Sequence, residues 1–322
     1  MGEVVLVTGA SGFIGSRLLP AVTRHGLSVR ATIRNMERAA LLPAGTDYIE
    51  VADLGRSMHW SAALEGVGVV IHLAATAHRL HDKRAVALSQ FRRVNTQGTL
   101  RLGMESAKAG AKRFVYVSSI GVNGSATMGK PFSESDVPAP GSSYAISKWE
   151  AEQGLYKLQK ETGMEVVVVR PPLVYGPGAP GNLARLMRVI WQGVPLPLAS
   201  VHNRRSFIGV DNLVDLLVSC AVHPAAAGET FLAADGEDLS TPKLIRYLAK
   251  GLGCSARLFP FPVMVIRVAA DILGKTALCD SLCSSLQVDA AKATALLDWR
   301  PRVSVADGLA QTVQWYRETQ GA

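Results

Sequence analysis

The stretch VLVTGASGFIG (residues 5–15) decides how the rest of the chain is read. Apolar residues with strand character run into three glycines, Gly9, Gly12 and Gly15, and then into a helical pattern. Glycines let a backbone approach a pyrophosphate closely. The helix that follows offers free N–H groups and a partial positive charge. A glycine triplet between a strand and a helix is the setting in which a dinucleotide binds, and the plain alternative is a glycine turn with no ligand. The spacing is Gly-x2-Gly-x2-Gly and not Gly-x-Gly-x2-Gly.

Working outward, further β-rich runs follow at 28–33 (SVRATI), 47–52 (DYIEVA), 67–74 (VGVVIHLA), 112–119 (KRFVYVSS) and 165–171 (EVVVVRP). Helical periodicity lies between them, for instance at 83–109 and 143–162. Continuous Val, Ile and Leu runs bracketed by helices predict a parallel sheet buried on both faces. The fold class is therefore α/β, a Rossmann-type doubly wound sheet. After about residue 175 the pattern changes to Pro and Gly punctuation and short helices, at roughly 182–192, 211–222, 240–251, 260–274 and 305–318. The division expected is a dinucleotide-binding domain over 1–175 that also carries the catalytic residues, and a smaller, mostly helical substrate lobe over 176–322. The chain is allowed to re-enter the sheet near 204–235.

The 322 residues are enough for a sizeable core, and 19% charged against 48% hydrophobic residues describes a globular chain. Cys220, Cys254, Cys279 and Cys283 are scattered late, without a Cys-x2-Cys pair, and read as reduced packing thiols; no metal site is expected. No signal peptide and no spanning run of 18 apolar residues is visible, so a cytoplasmic protein is expected. FPFPVMVIRVAADILG (259–274) is interrupted by Arg267 and Asp271. It reads as a buried helix of the smaller lobe, with an amphipathic membrane-surface helix as the alternative. The net charge of +8 is spread without a run of five cations, so nucleic acid is not an expected partner.

An NAD site usually carries Asp or Glu at the end of the second strand, where it holds the ribose 2′-hydroxyl. Here that strand ends with Ile33 and Arg34. A guanidinium suits a 2′-phosphate, so NADP(H) is expected, with NAD(H) as the alternative. Arg30 and Arg38 are near enough to share the role. Asp53, after the third strand, is placed either to accept from an adenine amino group or simply in a turn.

SSYAISKWEAE (142–152) puts Tyr144 four residues before Lys148, which sets both on one helix face. The pair is either chemistry or an ordinary surface helix. Reduction of a ketone needs a proton for the nascent alkoxide, and the reverse reaction needs a base. A tyrosine does both if its pKa falls from about 10, and a nearby ammonium would lower it.

In order along the chain stand TGASGFIG, DL (53–54), HLAA (72–75), SS (118–119), YAISK (144–148) and RPPLVYGPG (170–178), with LLDWRP (296–301) near the end. Together these resemble the extended short-chain dehydrogenase/reductase family, in its branch of sugar-nucleotide epimerases, dehydratases and reductases. The resemblance implies Ser119, Tyr144 and Lys148 as catalytic residues. Ser119 is chosen over Ser118 by the downstream Val-x-Gly, and its plain alternative is a strand-end cap. The implied cofactor contacts are Gly9, Gly12, Phe13, Ile14, Gly15, Arg34, Asp53, Leu54, Leu73, Ala74, Ala75, Tyr144, Lys148 and Pro171. Asn95 matches an asparagine that supports the site in many relatives. Asn182 and Arg205, with Arg204 as its neighbour, match positions at the nucleotide-sugar end. His72 is expected on the fourth strand, and His78 and His81 in the loop after it. In relatives the helices matching 83–109 and 143–162 often form a dimer, which leaves room for a homodimer here.

Within that branch the chain looks most like bacterial reductases of UDP-4-keto-6-deoxy-N-acetylglucosamine. They yield UDP-N-acetylquinovosamine or UDP-N-acetylfucosamine for O-antigen or capsule. Arg34 favours this reading. So does Asn123, which stands where epimerases usually have tyrosine. The alternatives are an NAD-dependent UDP-hexose 4-epimerase, a reductase of flavonoid-like or steroid-like ketones, and a non-catalytic NADP-sensing module.

Overall fold

The computed structural model describes residues 4–51, 60–76 and 84–320. Seven parallel strands form the main sheet: β1 (Val4–Thr8), β2 (Ser28–Ile33), β3 (Asp47–Glu50), β4 (Val67–His72), β5 (Arg113–Val117), β6 (Glu165–Arg170) and β9 (Thr230–Leu232). Their order is β3-β2-β1-β4-β5-β6-β9. The order reverses between β1 and β4, the switch point where open α/β sheets bind ligands. Two short strands, β7 (Leu173–Tyr175) and β8 (Phe207–Gly209), form a separate parallel pair.

Every residue of β4 and β5 is buried, whereas edge strand β3 is mostly exposed. The period-two alternation sorts the central strands onto two faces. Val5, Val7, Val115, Val117, Val167 and Val169 pack with the helices α1 (Gly15–Arg24) and α7 (Val210–Val222). Leu6, Phe114, Tyr116, Val166 and Val168 pack on the other face with α4 (Thr99–Lys108) and α5 (Ser143–Thr162). The short α2 (Ser61–Leu64) joins that second layer through Ala63 and Leu64.

The helical stretch expected over 83–109 is not uniform. It comprises α3 (Arg84–Phe91), a wider π-helical stretch (Arg92–Gly98) and α4. A further core gathers Leu183, Met187 and Ile190 of α6 (Asn182–Trp191), Leu244, Ile245 and Leu248 of α8 (Thr241–Leu252), and Leu309 and Val313 of α12 (Val305–Gln320). α9 (Val263–Ile272), α10 (Thr276–Cys283) and α11 (Ala291–Leu297) complete the elements. The buried-helix reading of 259–274 does not hold, because no residue of α9 is buried. Among the described residues no helix is long and apolar enough to cross a membrane.

Candidate active site

The loop from β1 to α1 is built on close backbone approaches. Gly9 has φ +71°, and a Cβ there would lie 2.9 Å from the Ala74 nitrogen. A Cβ on Gly15 would lie 2.3 Å from the Gly9 carbonyl oxygen and 2.7 Å from Ala10 Cα. Any side chain at Gly15 would push α1 away from the loop, so the glycines set how near the helix N-terminus stands to the strand ends. Gly9, Gly12, Leu73, Ala74 and Ala75 line one cleft, and Arg34 and Arg38 line it too. Phe13 and Ile14, in the same loop, are partly buried and pack against the core.

Arg30 does not share that cleft. Its guanidinium holds Asp47 at 2.7 Å and the Glu65 carbonyl at 2.8 Å, tying β2 to β3 and to the end of α2. It is a sheet-edge clamp, and Arg38 takes the place beside Arg34. Asp53, Leu54, His78 and His81 lie outside the described residues.

α5 starts at an N-cap, Ser142, whose hydroxyl accepts from the Ala145 N–H at 3.1 Å, and ends at Gly163 in the left-handed region. Tyr144, Lys148 and Glu152 recur every fourth residue and so form one stripe. Lys148 is 2% exposed. Its ammonium nitrogen donates to the Val117 carbonyl at 2.8 Å, and lies 4.6 Å from the Tyr116 ring centre and 5.9 Å from that of Tyr144. Burial lowers its pKa to about 7, against an opposing pull from Glu152. Burial raises Tyr144 to about 12. Desolvation dominates both groups, and the ammonium is aimed at a strand-end carbonyl.

Of the two serines ending β5, Ser118 is buried and donates to the Glu152 carboxylate. Ser119 is half-buried and caps a 3₁₀ turn (Ile120–Val122), its hydroxyl accepting from the Gly121 N–H at 3.1 Å. A serine hydroxyl also carries a hydrogen to donate, so capping leaves Ser119 able to hold an oxygen. A Cβ on Gly121 would lie 3.4 Å from both Ser119 Oγ and Ala145 Cβ. Gly121 therefore brings the Ser119 turn up against the residue next to Tyr144. The Pro171 carbonyl accepts from the Ile120 N–H at 3.0 Å and pins the loop after β6 beside the same turn.

Beneath the stripe lies a network that motif reading misses. Arg170 donates to Glu152 at 2.5 and 3.1 Å and to Asn123 Oδ1 at 2.9 Å; Asn123 donates to the Ser133 carbonyl at 2.9 Å. Asn123 is 2% exposed, so this position, read as a departure from the epimerase pattern, is part of the support of α5. The signal for Glu152 was present as a third member of the four-residue repeat.

Asn95 sits in the π-helical stretch, and such widenings often mark functional sites. Its amide brackets Thr76, accepting from the Thr76 N–H at 2.8 Å and donating to the Thr76 carbonyl at 3.0 Å. It also donates to Ser147 Oγ at 3.1 Å, and Ser147 donates to the Tyr144 carbonyl at 2.7 Å. One asparagine thus fixes the segment after β4 to the first turn of α5. His72 is fully buried between Thr8 Oγ1 at 2.6 Å and Thr99 Oγ1 at 2.9 Å. Burial, then the Lys148 charge, lowers its pKa to about 3, so it stays neutral and ties β4 to β1 and α4.

At the other end, Asn182 is the exposed first residue of α6. Arg205 is half-buried, donates to the Ser284 carbonyl at 2.9 Å, and has its pKa lowered by burial. Arg204 is solvent-facing, 3.9 Å from Asp238.

Residues 5–234 match the model of the NAD dependent epimerase/dehydratase family. A UDP-glucose 4-epimerase of Vibrio cholerae is 39% identical over 316 residues, covering 98% of this chain and 95% of that protein. The chain belongs to this family. It is an NAD-dependent type of enzyme from the sugar-nucleotide epimerase/dehydratase group. Among solved structures of similar shape, MoeE5 in complex with UDP-glucose and NAD is 27% identical with a TM-score of 0.77, covering 99% of this chain and 100% of that one. The UDP-glucuronic acid 4-epimerase of Bacillus cereus in complex with NAD has a TM-score of 0.81 at 23% identity, covering 99% of each chain, and so shares the fold.

The family's dinucleotide fits the residues present. The contacts that a Cβ at Gly9 or Gly15 would break keep a backbone-lined cleft open at the switch point, and two guanidinium groups line it.

Proposed function

We propose that the chain is an NADPH-dependent 4-ketoreductase acting on a UDP-linked 4-keto-6-deoxy-hexosamine. The observation that carries this reading is the cleft beside β2. Its lining includes Arg34 and Arg38, and β2 runs out into Ile33–Arg34 with no carboxylate closing it. Two guanidinium groups suit a 2′-phosphate, whereas a 2′-hydroxyl favours a carboxylate acceptor. Gly9, Gly12 and Gly15 would take the pyrophosphate, with Leu73, Ala74, Ala75 and Pro171 lining the course of the dinucleotide. Bound there, the reduced nicotinamide supplies the hydride.

This chain's own residues would do the rest. Ser119 donates to the carbonyl oxygen at C4 and orients it. Tyr144, held protonated up to about pH 12 by burial, gives the proton that neutralises the developing alkoxide. Lys148 holds the nicotinamide ribose and steadies charge on the phenol as the proton leaves. Asn95, through Ser147, keeps the first turn of α5 in place. Arg205 and Asn182 are assigned to the nucleotide diphosphate and sugar.

A second reading, a UDP-hexose 4-epimerase, is favoured by the Vibrio cholerae relative and shares the same catalytic residues. The test is nicotinamide absorbance with purified protein, UDP-4-keto-6-deoxy-N-acetylglucosamine and either reduced cofactor. Stoichiometric oxidation, faster with NADPH, is expected. Arg34→Ala/Arg38→Ala should cost NADPH about tenfold or more in KM while leaving NADH nearly unchanged. Tyr144→Phe should lower kcat by roughly a hundredfold or more. Conversion of UDP-glucose without added reductant, and no oxidation of either cofactor, would select the epimerase.

A further inference from the structure

The Lys148 ammonium is buried, and the carboxylate that shares its stripe is already engaged. Glu152 accepts from Arg170 and from the Ser118 hydroxyl. The Val117 carbonyl accepts from one of the three ammonium N–H bonds. A single neutral acceptor does little against the desolvation of a cation, so something else has to hold the charge.

The Tyr116 ring is placed to do so. Alternation along β5 turns Phe114 and Tyr116 to the face that packs on α4 and α5. Tyr116 is fully buried, and the ammonium nitrogen lies over its ring, 4.6 Å from the centre. The negative face of an aromatic ring attracts a cation within about 6 Å, most strongly where water is excluded. Tyr144 is the other ring in range, at 5.9 Å, and this attraction weakens steeply with distance. Tyr116 is itself fixed. His72 is its cross-strand partner on β4, with ring centres 5.9 Å and planes 19° apart. Thr8 and Thr99 meet the two ring nitrogens of His72. Because His72 stays neutral, it adds no second cation beside the ring.

We propose that Tyr116 is a positioning residue for Lys148: its ring face holds the ammonium in place and keeps it charged. The proposal deepens the reading of Lys148 as a catalytic-site residue and rests on it. An aromatic face attracts the charge without an oxygen that would clamp the N–H bonds, so donors remain for the ribose assigned to Lys148. The titratable and charged groups around the ammonium are His72 from β4, Tyr116 from β5, and Tyr144 and Glu152 from α5 itself. Arg170 of β6 stands behind Glu152. Of these, Glu152 also favours the charged form.

The test is an NMR titration of the full chain with isotope-labelled lysine Cε. The Lys148 resonance is the one missing from Lys148→Met. Neither cofactor nor substrate is present, so failure of the reductase reading leaves the result untouched. A cation bound to a ring is harder to deprotonate, so weakening the ring face lowers the midpoint. Tyr116→Phe keeps the ring and should titrate like the parent. Tyr116→trifluorophenylalanine keeps the shape of that ring and drains its face of negative charge. It should lower the midpoint by about half a unit or more relative to Tyr116→Phe, and Tyr116→Leu by about one unit. If the fluorinated protein titrates with Tyr116→Phe, the proposal is overturned, whether or not Tyr116→Leu folds. A shift in Tyr116→Phe as large as that in Tyr116→Leu would assign the effect to the hydroxyl and also overturn it.

Discussion

At the scale of single residues, Lys148 is where burial and function pull against each other. Its folded pKa of about 7 lies below the ordinary 10.5 because desolvation penalises the ammonium. Between those two values the unfolded chain binds more protons than the folded one, so stability rises with pH across that window. Below about pH 7 the full cost of the buried charge is present; above 10.5 it is gone. Lys148→Met should therefore stabilise the fold most near or below neutral pH, by on the order of 3 kcal/mol, less about 1 kcal/mol for the bond lost to the Val117 carbonyl. The gain should fade towards pH 10. Urea unfolding across that range checks it, and a stabilisation independent of pH would contradict the assigned cause. Tyr144 and Lys148 are legible in the sequence because their spacing is a helix property. The direction of the tyrosine shift is not, since it depends on where the ammonium points and on how much protein surrounds the phenol.

At the scale of elements, α5 is held from both sides. Above, Asn95 and Ser147 fix its first turn; below, Glu152 is paired with Arg170 in the interior. Removing one partner of a buried ion pair strands the other charge. Glu152→Gln should cost about 3–5 kcal/mol, and Glu152→Leu/Arg170→Met should recover most of it. Denaturant midpoints of the three proteins decide this. A loss below about 1 kcal/mol for Glu152→Gln would mean the pair does not anchor the helix. The six strands read from sequence lie within two residues of their observed ends; the central ones, buried on both faces, show as unbroken apolar runs. β7, β8 and β9 have three residues each, too few to display a period, and α10 and α11 are similarly short. The interruption of the 83–109 helix at Arg92–Gly98 follows from the contacts of Asn95 with Thr76, partners nineteen residues apart that no local pattern reveals.

At the scale of the whole molecule, the doubly wound sheet is legible from the alternation of apolar runs and helices, and the family is legible from the order of its motifs. The candidate site is legible in part. The glycine loop, Ser119, Tyr144 and Lys148 stand out, while Arg170 and Thr76 emerge only when the chain folds. The exposed face of α9 is the largest departure, because an apolar helix sequence looks the same whether the fold buries it or leaves it exposed. Reductase and epimerase share one constellation of side chains and differ in whether the hydride comes from outside the sugar. Following that hydride is the most direct measurement: incubate the protein with UDP-4-keto-6-deoxy-N-acetylglucosamine and NADPH deuterated at the transferable position, and determine the label at C4 of the product by mass spectrometry. A 6-deoxy product carrying one deuterium per cofactor oxidised is the result predicted. Unlabelled product with the cofactor unspent, or label in neither, would contradict the account.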